Sequence, residues 1–331
     1  MSHIRPRAGT WAVACSRIGP SHVRDGKPCQ DASAVWSSNV AGRSCLIAAV
    51  ADGHGDDRHD QSQHGSRIAV QAAIADLIEF YGVCLEKGLD SHLIAEFKND
   101  FPRRIVRQWR QSVERDAVSR LGVASLPDEP ARADVVARYG TTLLVAFAFG
   151  GTAVVGQLGD GLIGVVHEDG TVEQPLALEV LDIGSVTDSL CGAEAHLRWR
   201  TASIDISDGR TLVLSTDGVT NAFPNDGELS RFLSSVQSLA AEHGASTIDA
   251  YLPDWLDRYA TASGDDVSLA ILMLTPRPSN RQQEPVMSET DTASAETEPQ
   301  VTGGNVDVVE AGPAVDRGGD GNASDGETQA G

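Results

Sequence analysis

The run Cys45-Leu-Ile-Ala-Ala-Val-Ala51 is unbroken by any polar side chain and is closed at once by Asp52-Gly53-His54-Gly55. A stretch this short, ended by glycines, suits a strand covered on both faces better than a helix. It therefore requires a packing layer on each side of the sheet it joins. A carboxylate, a backbone carbonyl and an imidazole leave the strand end together, where a rigid sheet can aim them and glycine admits a ligand close to the main chain. Asp-Gly after a strand is also an ordinary turn, so the meaning of this corner depends on the other acids.

Around this strand the pattern comes in blocks. Residues 10–16 and 32–37 read as strands flanking a polar loop, 19–31. Ile74, Leu77, Ile78 and Tyr81 recur at helical spacing, as do Ile94, Phe97, Phe101, Ile105 and Trp109, with a bend expected at Pro102. Residues 117–138 read as a linker, and strands follow at 141–149, 152–157 and 162–167. Their connections are too short for a crossover helix, so they must pair antiparallel. The stretch 173–210 reads as irregular, 211–216 as a strand ending in Asp217-Gly218, 228–242 and 246–259 as helices, and 267–274 as a last strand. Strands and helices in blocks point to antiparallel sheets with helices packed outside.

The chain has 331 residues and a formal net charge of −21. Residues 276–331 hold 3 Arg against 11 Asp or Glu and no aromatic side chain, so they bury too little to offset their ordering entropy. They are expected to be a disordered acidic tail following a domain that spans residues 1–275. The acidic balance argues against nucleic acid or an anionic membrane as partner, and no stretch reaches the about 18 apolar residues of a membrane span. The five cysteines, Cys15, Cys29, Cys45, Cys84 and Cys191, are odd in number and share no metal-ligand spacing. A reduced, cytoplasmic setting is the expectation.

Four acids, Asp31, Asp52, Asp217 and Asp265, each abut an expected strand end. Carboxylates that converge repel one another unless a divalent cation sits among them, and an all-oxygen set suits magnesium or manganese rather than zinc. Two such ions can activate water and stabilise the leaving oxygen of a phosphate ester.

These residues fall in motifs whose order and spacing resemble the metal-dependent serine/threonine phosphatases of the protein phosphatase 2C family, over nearly all of residues 10–275. The motifs are Gln30-Asp31, Val50-Ala51-Asp52-Gly53-His54-Gly55, Gly140-Thr141-Thr142, Gly159-Asp160-Gly161, Ser215-Thr216-Asp217-Gly218-Val219 and Asp265-Asp266-Val267-Ser268-Leu269. The resemblance implies an α+β fold, a central antiparallel β-sandwich flanked by α-helices on both sides in four layers. It implies hydrolysis of phosphoserine and phosphothreonine on proteins by a hydroxide bridging two Mn2+ or Mg2+ ions. Asp52 would bridge both ions and Gly53 would offer its carbonyl, while Asp217 and Asp265 would ligate the other metal and Asp31 would act mainly through water. His54 would donate a proton to the leaving oxygen, a role suited to an imidazole titrating near neutrality. Asp160 matches a position linked to a weaker third metal, whose usual acidic partner is Asn221 here. Partners would be a phosphorylated protein and, as with bacterial relatives, a serine/threonine kinase or its targets.

Two positions depart from the family pattern. Gln30 stands where Glu is common, and Gly26 stands where an arginine usually clamps the phosphate, leaving His22, Arg24 or Lys27 to take over. The loss of that arginine keeps open a second reading, a weak or inactive phosphatase-like scaffold that binds phosphoproteins. A hydrolase of small phosphate esters is a third. Gly159 to Gly164 spells a dinucleotide fingerprint, but a strand rather than a helix is expected after it, so a hairpin is the better reading. No Arg lies six residues after any cysteine, which excludes the cysteine phosphatases. His54, His59 and His64 are five apart and would not share a helix face, so the latter two read as loop or helix-start residues.

Overall fold

A computed structural model describes residues 9–176, 188–275 and 306–309. The apolar run from Cys45 to Ala51 lies inside β3 (Arg43–Ala51), and all seven of its residues are buried. Its side chains alternate between two cores. Cys45, Ile47, Ala49 and Ala51 pack under helices, whereas Leu46, Ala48 and Val50 pack against a second sheet. Period-2 geometry sends neighbours to opposite faces, and because both faces are covered the alternation leaves no polar residue in the sequence.

Two antiparallel sheets form the sandwich. One runs β1 (Trp11–Arg17), β10 (Val267–Met273), β9 (Thr211–Ser215), β6 (Leu162–Val166) and β7 (Val172–Glu173). The other runs β11 (Val306–Val309), β2 (Ala32–Val40), β3, β4 (Leu143–Phe149), β5 (Thr152–Leu158) and β8 (Arg200–Asp205). Helices α2 (Ser62–Lys87) and α3 (Ser91–Leu121) cover the second sheet, and α6 (Asp226–His243) and α7 (Ala245–Ser263) the first. The four layers match the expected fold.

Helix α3 buries a ridge of Phe97, Phe101, Ile105, Trp109 and Val113 at four-residue spacing. Asp90 caps its start by accepting from the Leu93 amide at 2.9 Å, and Gly122 ends it. The helix carries Pro102 inside it without ending there. Helix α2 is long and apolar enough to cross a membrane by length and composition alone, yet Ala69, Ala73, Leu77 and Phe80 pack into the core. The buried carboxylate of Asp76, between α2 and α3, takes both arms of the Arg104 guanidinium at 2.6 and 2.9 Å.

Four sequence expectations need correction. The loop 19–31 contains α1 (Pro20–Asp25), started by a proline whose fixed φ suits a first helical turn. The expected linker 117–138 is largely helical, since α3 runs to Leu121 and α4 (Ala131–Ala137) follows. The stretch 173–210 includes β8, whose residues Thr201, Ser203 and Asp205 are polar because it is an edge strand. Within the tail, Val306–Val309 pairs antiparallel with β2, Val309 opposite Ser33; the rest of 276–331 lies outside the described residues.

The β2–β3 hairpin turns through Ala41 (φ 51°) and Gly42 (φ 76°), a two-residue loop with both central residues left-handed. Ala41 is the non-glycine exception among the described residues. Ala41→Asn is expected to stabilise the protein by about 0.5–1 kcal/mol, because Asn tolerates this conformation better, a gain that urea unfolding would read as a higher midpoint at constant slope. We also propose that residues 1–275 hold the domain, and that β11, added at the edge of the sheet beside β2, is not needed for it. Deleting residues 276–331 is then expected to keep the fold, with a melting temperature within a few degrees of the full chain; a fall of tens of degrees would show that the tail belongs to the domain.

Candidate active site

The strand-end corner is held by the Gly140-Thr141-Thr142 segment. The Asp52 amide donates to Thr142 Oγ1 at 2.9 Å, and the Asp52 carbonyl accepts from the Thr142 amide at 2.8 Å and from Thr141 Oγ1 at 2.7 Å. The His54 amide donates to the Gly140 carbonyl at 3.1 Å. Gly53 has no room for a side chain, since an added Cβ would stand 2.5 Å from the Gln30 carbonyl oxygen. The close approach of these backbones is what brings β2 and its leading Asp31 beside Asp52.

Asp31 is 5% exposed and accepts from Thr216 Oγ1 at 2.8 Å. Burial pushes its carboxyl well above the usual range, and the charges of Asp266, Asp265 and Asp217 add to the rise while the Thr216 bond opposes it. Asp52 is raised in the same way by burial and then by Asp31 and Asp217, with which its carboxyl shares a hydrogen bond. Asp217 opens the one-turn helix α5 (Asp217–Thr220), and burial raises it too, while bonds from Asp52 and Asn221 oppose the rise. Asp160, on the β5–β6 turn, is close enough to act on both Asp217 and His54. The structure thus brings Asp31, Asp52, Asp217, Asp265 and Asp160 to one end of the sandwich.

Asp265 is the exposed member of its pair. Asp266, which the sequence reading passed over as part of the motif, points inward with 4% exposure. Its Oδ1 accepts from the Gly19 amide at 2.6 Å, and its Oδ2 from the Gln30 amide at 2.6 Å and from His22 Nδ1 at 2.7 Å. The signal was the doublet itself, because adjacent residues entering a strand face opposite ways.

His54 differs from expectation. Burial, and then the neighbouring His59 ring at 4.9 Å between centroids, lower its pKa to about 4 in place of the near-neutral value supposed. Of the three substitutes for the arginine, Arg24 is 72% exposed and pairs only with its neighbour Asp25. Lys27 Nζ donates to the Gly55 carbonyl at 2.9 Å. His22 is 8% exposed and held by Asp266. Gly26 itself has φ of 67° as the left-handed cap of α1, a conformation that disfavours any side chain. Cys29 is buried and its thiol pushed far up by desolvation, so it is no reactive centre.

Among the described residues, no group of three or more His, Cys, Asp or Glu is placed so that it could hold a metal ion. The carboxylates at this end are nonetheless oxygen donors, the chemistry that hard divalent cations take. Asp31, Asp52 and Asp217 stand together with no Arg or Lys partner in salt-bridge reach among the described residues; the charge of Asp217 raises the carboxyls of Asp31 and Asp52, and that of Asp31 raises Asp52. Beside them Gln30 Oε1 is buried with no hydrogen-bond partner. Carboxylates whose ionised forms are disfavoured by burial and by one another, next to an orphaned acceptor, fit a divalent metal in chemistry. Two cavities, of about 410 Å³ beside Gly150–Thr152 and about 210 Å³ between Gln61, Arg120 and Tyr139, lie away from this end.

Among solved structures, the chain is similar to a bacterial serine phosphatase at 15% identity and a TM-score of 0.51, over 81% of this chain and 99% of that one. A point variant of a bacterial serine phosphatase aligns at 16% identity, TM-score 0.50, over 81% and 99%. The catalytic domain of the serine/threonine phosphatase PstP, in complex with two manganese ions, aligns at 16% identity and TM-score 0.48, over 80% and 98%. No curated protein sequence matches. At these identities the structures speak for the fold alone, a mixed α+β sandwich of two antiparallel sheets. The sequence speaks for more, because the model of the protein phosphatase 2C family matches residues 18–257, a span that holds Asp31, Asp52 and Asp217 and reaches to the last helix before Asp265: the chain belongs to the protein phosphatase 2C family.

Proposed function

We propose that this protein removes phosphate from phosphoserine or phosphothreonine side chains of other proteins, using two Mn2+ or Mg2+ ions. The observation that carries this reading is the convergence of Asp31, buried, with Asp52 and Asp217, both half-buried, at one end of the sandwich, where burial and mutual charge raise all three carboxyls. Asp52, the Gly53 carbonyl, Asp217 and Asp265 would hold the ions, with Asp31 behind them and Asp160 at the margin. When bound, the ions supply the positive charge that activates water and steadies the leaving oxygen.

The chain's own groups orient and protonate. The Thr141 and Thr142 contacts fix the Asp52 backbone, so that its carboxylate is presented from a rigid strand end. His54 stands next to it, neutral at pH 7 with a pKa of about 4. In this reading the charge of a bound phosphate raises that pKa, and His54 then passes a proton to the departing serine or threonine oxygen.

The test is phosphate release from a phosphothreonine peptide, expected with manganese, absent in chelator and absent in Asp217→Ala. The scaffold reading, which the missing arginine at Gly26 favours, predicts that manganese raises the melting temperature while no phosphate is released at all. Release from p-nitrophenyl phosphate but from no phosphopeptide would favour a hydrolase of small esters instead.

A further inference from the structure

The segment before Asp31 holds a buried histidine that the chemistry above leaves without a task. His22 lies in α1, where the next residue, Val23, is 54% exposed, yet the His22 ring is turned in and only 8% of the residue is exposed. One ring edge is fixed: Nδ1 meets Asp266 Oδ2 at 2.7 Å, and Asp266 is itself pinned by the Gly19 and Gln30 amides, each at 2.6 Å. An imidazole whose Nδ1–H is committed to a buried carboxylate has its other nitrogen aimed, not free to wander.

That other nitrogen faces the turn after Asp52. A methyl group added at Gly55 would stand 3.8 Å from His22 Nε2 and 3.7 Å from Gln30 Oε1. Gly55 is exposed and has no side chain to fill this spot. Gln30 is 5% exposed, and its Oε1 finds no hydrogen-bond partner among the described residues. Lys27 Nζ reaches the same turn from the other direction, already bonded to the Gly55 carbonyl. A solvent-open spot beside the strand-end corner is thus bordered by an oriented imidazole and an ammonium group, with the Gln30 amide oxygen, an acceptor, beside the ring. In an otherwise acidic end of the molecule, the imidazole and the ammonium are donors that an anion would meet.

Resting on the phosphatase reading above, we propose that His22, oriented through Nδ1 by Asp266, donates its Nε2–H to a phosphate oxygen of the substrate over Gly55. It takes the task that an arginine performs elsewhere in the family and that Gly26 cannot. Protonated histidine is a donor at both ring nitrogens, and the hydrogen bond to Asp266, opposed by burial, raises the His22 pKa and so favours that form. A single N–H from a ring gives one directed contact where guanidinium would give two.

The test uses the full chain and inorganic phosphate as probe. In His22→Asn the side-chain amide can replace Nδ1 on Asp266 while Nε2 is lost; in His22→Ala both are lost. For the Asn variant loaded with manganese, the affinity for inorganic phosphate by calorimetry is expected to fall about tenfold or more. KM for a phosphothreonine peptide should rise by a similar factor, with kcat falling less. An Asn variant that folds and keeps the wild-type phosphate affinity and KM would reduce His22 to a tether and overturn the assignment. A measurement on the wild type covers the case in which both variants unfold. With magnesium bound, the His22 ring resonance is expected to move on adding phosphate, and a resonance that ignores phosphate overturns the proposal. Failure of the two readings looks different: phosphate binding through His22 without turnover sinks the phosphatase activity, and turnover indifferent to His22 sinks only this inference.

Discussion

Asp52→Asn is expected to lose phosphatase activity on the order of a thousandfold or more, the scale of removing one preorganised electrostatic group, while the metal-free variant melts no lower than metal-free wild type. The two halves follow from one cause. Asp52 is half-buried, desolvated and pressed by the charges of Asp31 and Asp217, so in the absence of a cation its ionised form is a burden and Asn relieves it. Manganese should stabilise the wild type by about 2.7 kcal/mol at a hundredfold excess over its dissociation constant, and the variant by much less. If Asp52-Gly53 were only a turn, the variant would be destabilised with and without metal, and turnover would fall only as far as folding does. Melting curves in chelator and in manganese, beside the rates, separate the cases; equal metal-induced shifts in both proteins would sink the assignment of Asp52 as a ligand.

In chelator, lowering the pH from about 8 towards about 5 is expected to stabilise the protein, the reverse of ordinary acid denaturation. Asp31, Asp52 and Asp217 all have folded-state pKa values above their unfolded ones. Between the two values the folded state binds more protons than the unfolded, so stability falls as pH rises through the folded pKa and is fully present only below the unfolded value, about 3.9. His22, raised by its bond to Asp266, acts in the same sense above the unfolded value of about 6.5. His54, lowered to about 4, acts in the opposite sense between that value and about 6.5. In saturating manganese the slope should invert, because ligation requires ionised carboxylates. Urea midpoints measured across this range in chelator and in manganese are therefore expected to diverge as pH rises. Parallel curves would mean that these carboxylates hold no metal.

Much of this was legible in the chain itself. The run from Cys45 to Ala51 demands cover on both faces wherever it sits, and short links between the strands from 141 to 167 force antiparallel pairing; local sterics and burial are enough for such inferences. The positions of Asp31, Asp52 and Asp217 were marked by strand ends and by a family pattern of high information content. Elements with weak periodicity were not legible: β8 is an edge strand with polar residues, and α1 and α5 are too short to show a helical repeat.

Only tertiary structure decided what each polar group does. Asp265 and Asp266 are adjacent and chemically identical, yet one reaches solvent and the other turns inward to anchor Gly19, Gln30 and His22, contacts more than two hundred residues apart in the chain. The pKa of His54 depends on burial and on a ring five residues away, which the short 3-10 helix Asp57–His59 brings to 4.9 Å. His22, Arg24 and Lys27 were equal candidates by composition and distance along the chain. The fold separates them, sending Arg24 to solvent, Lys27 to a carbonyl and His22 inward onto Asp266. Sequence determines which groups are available and where strands must run; charge, burial and hydrogen bonding across contacts distant in the chain set their protonation and their aim, and those contacts exist only once the sheets have closed on each other.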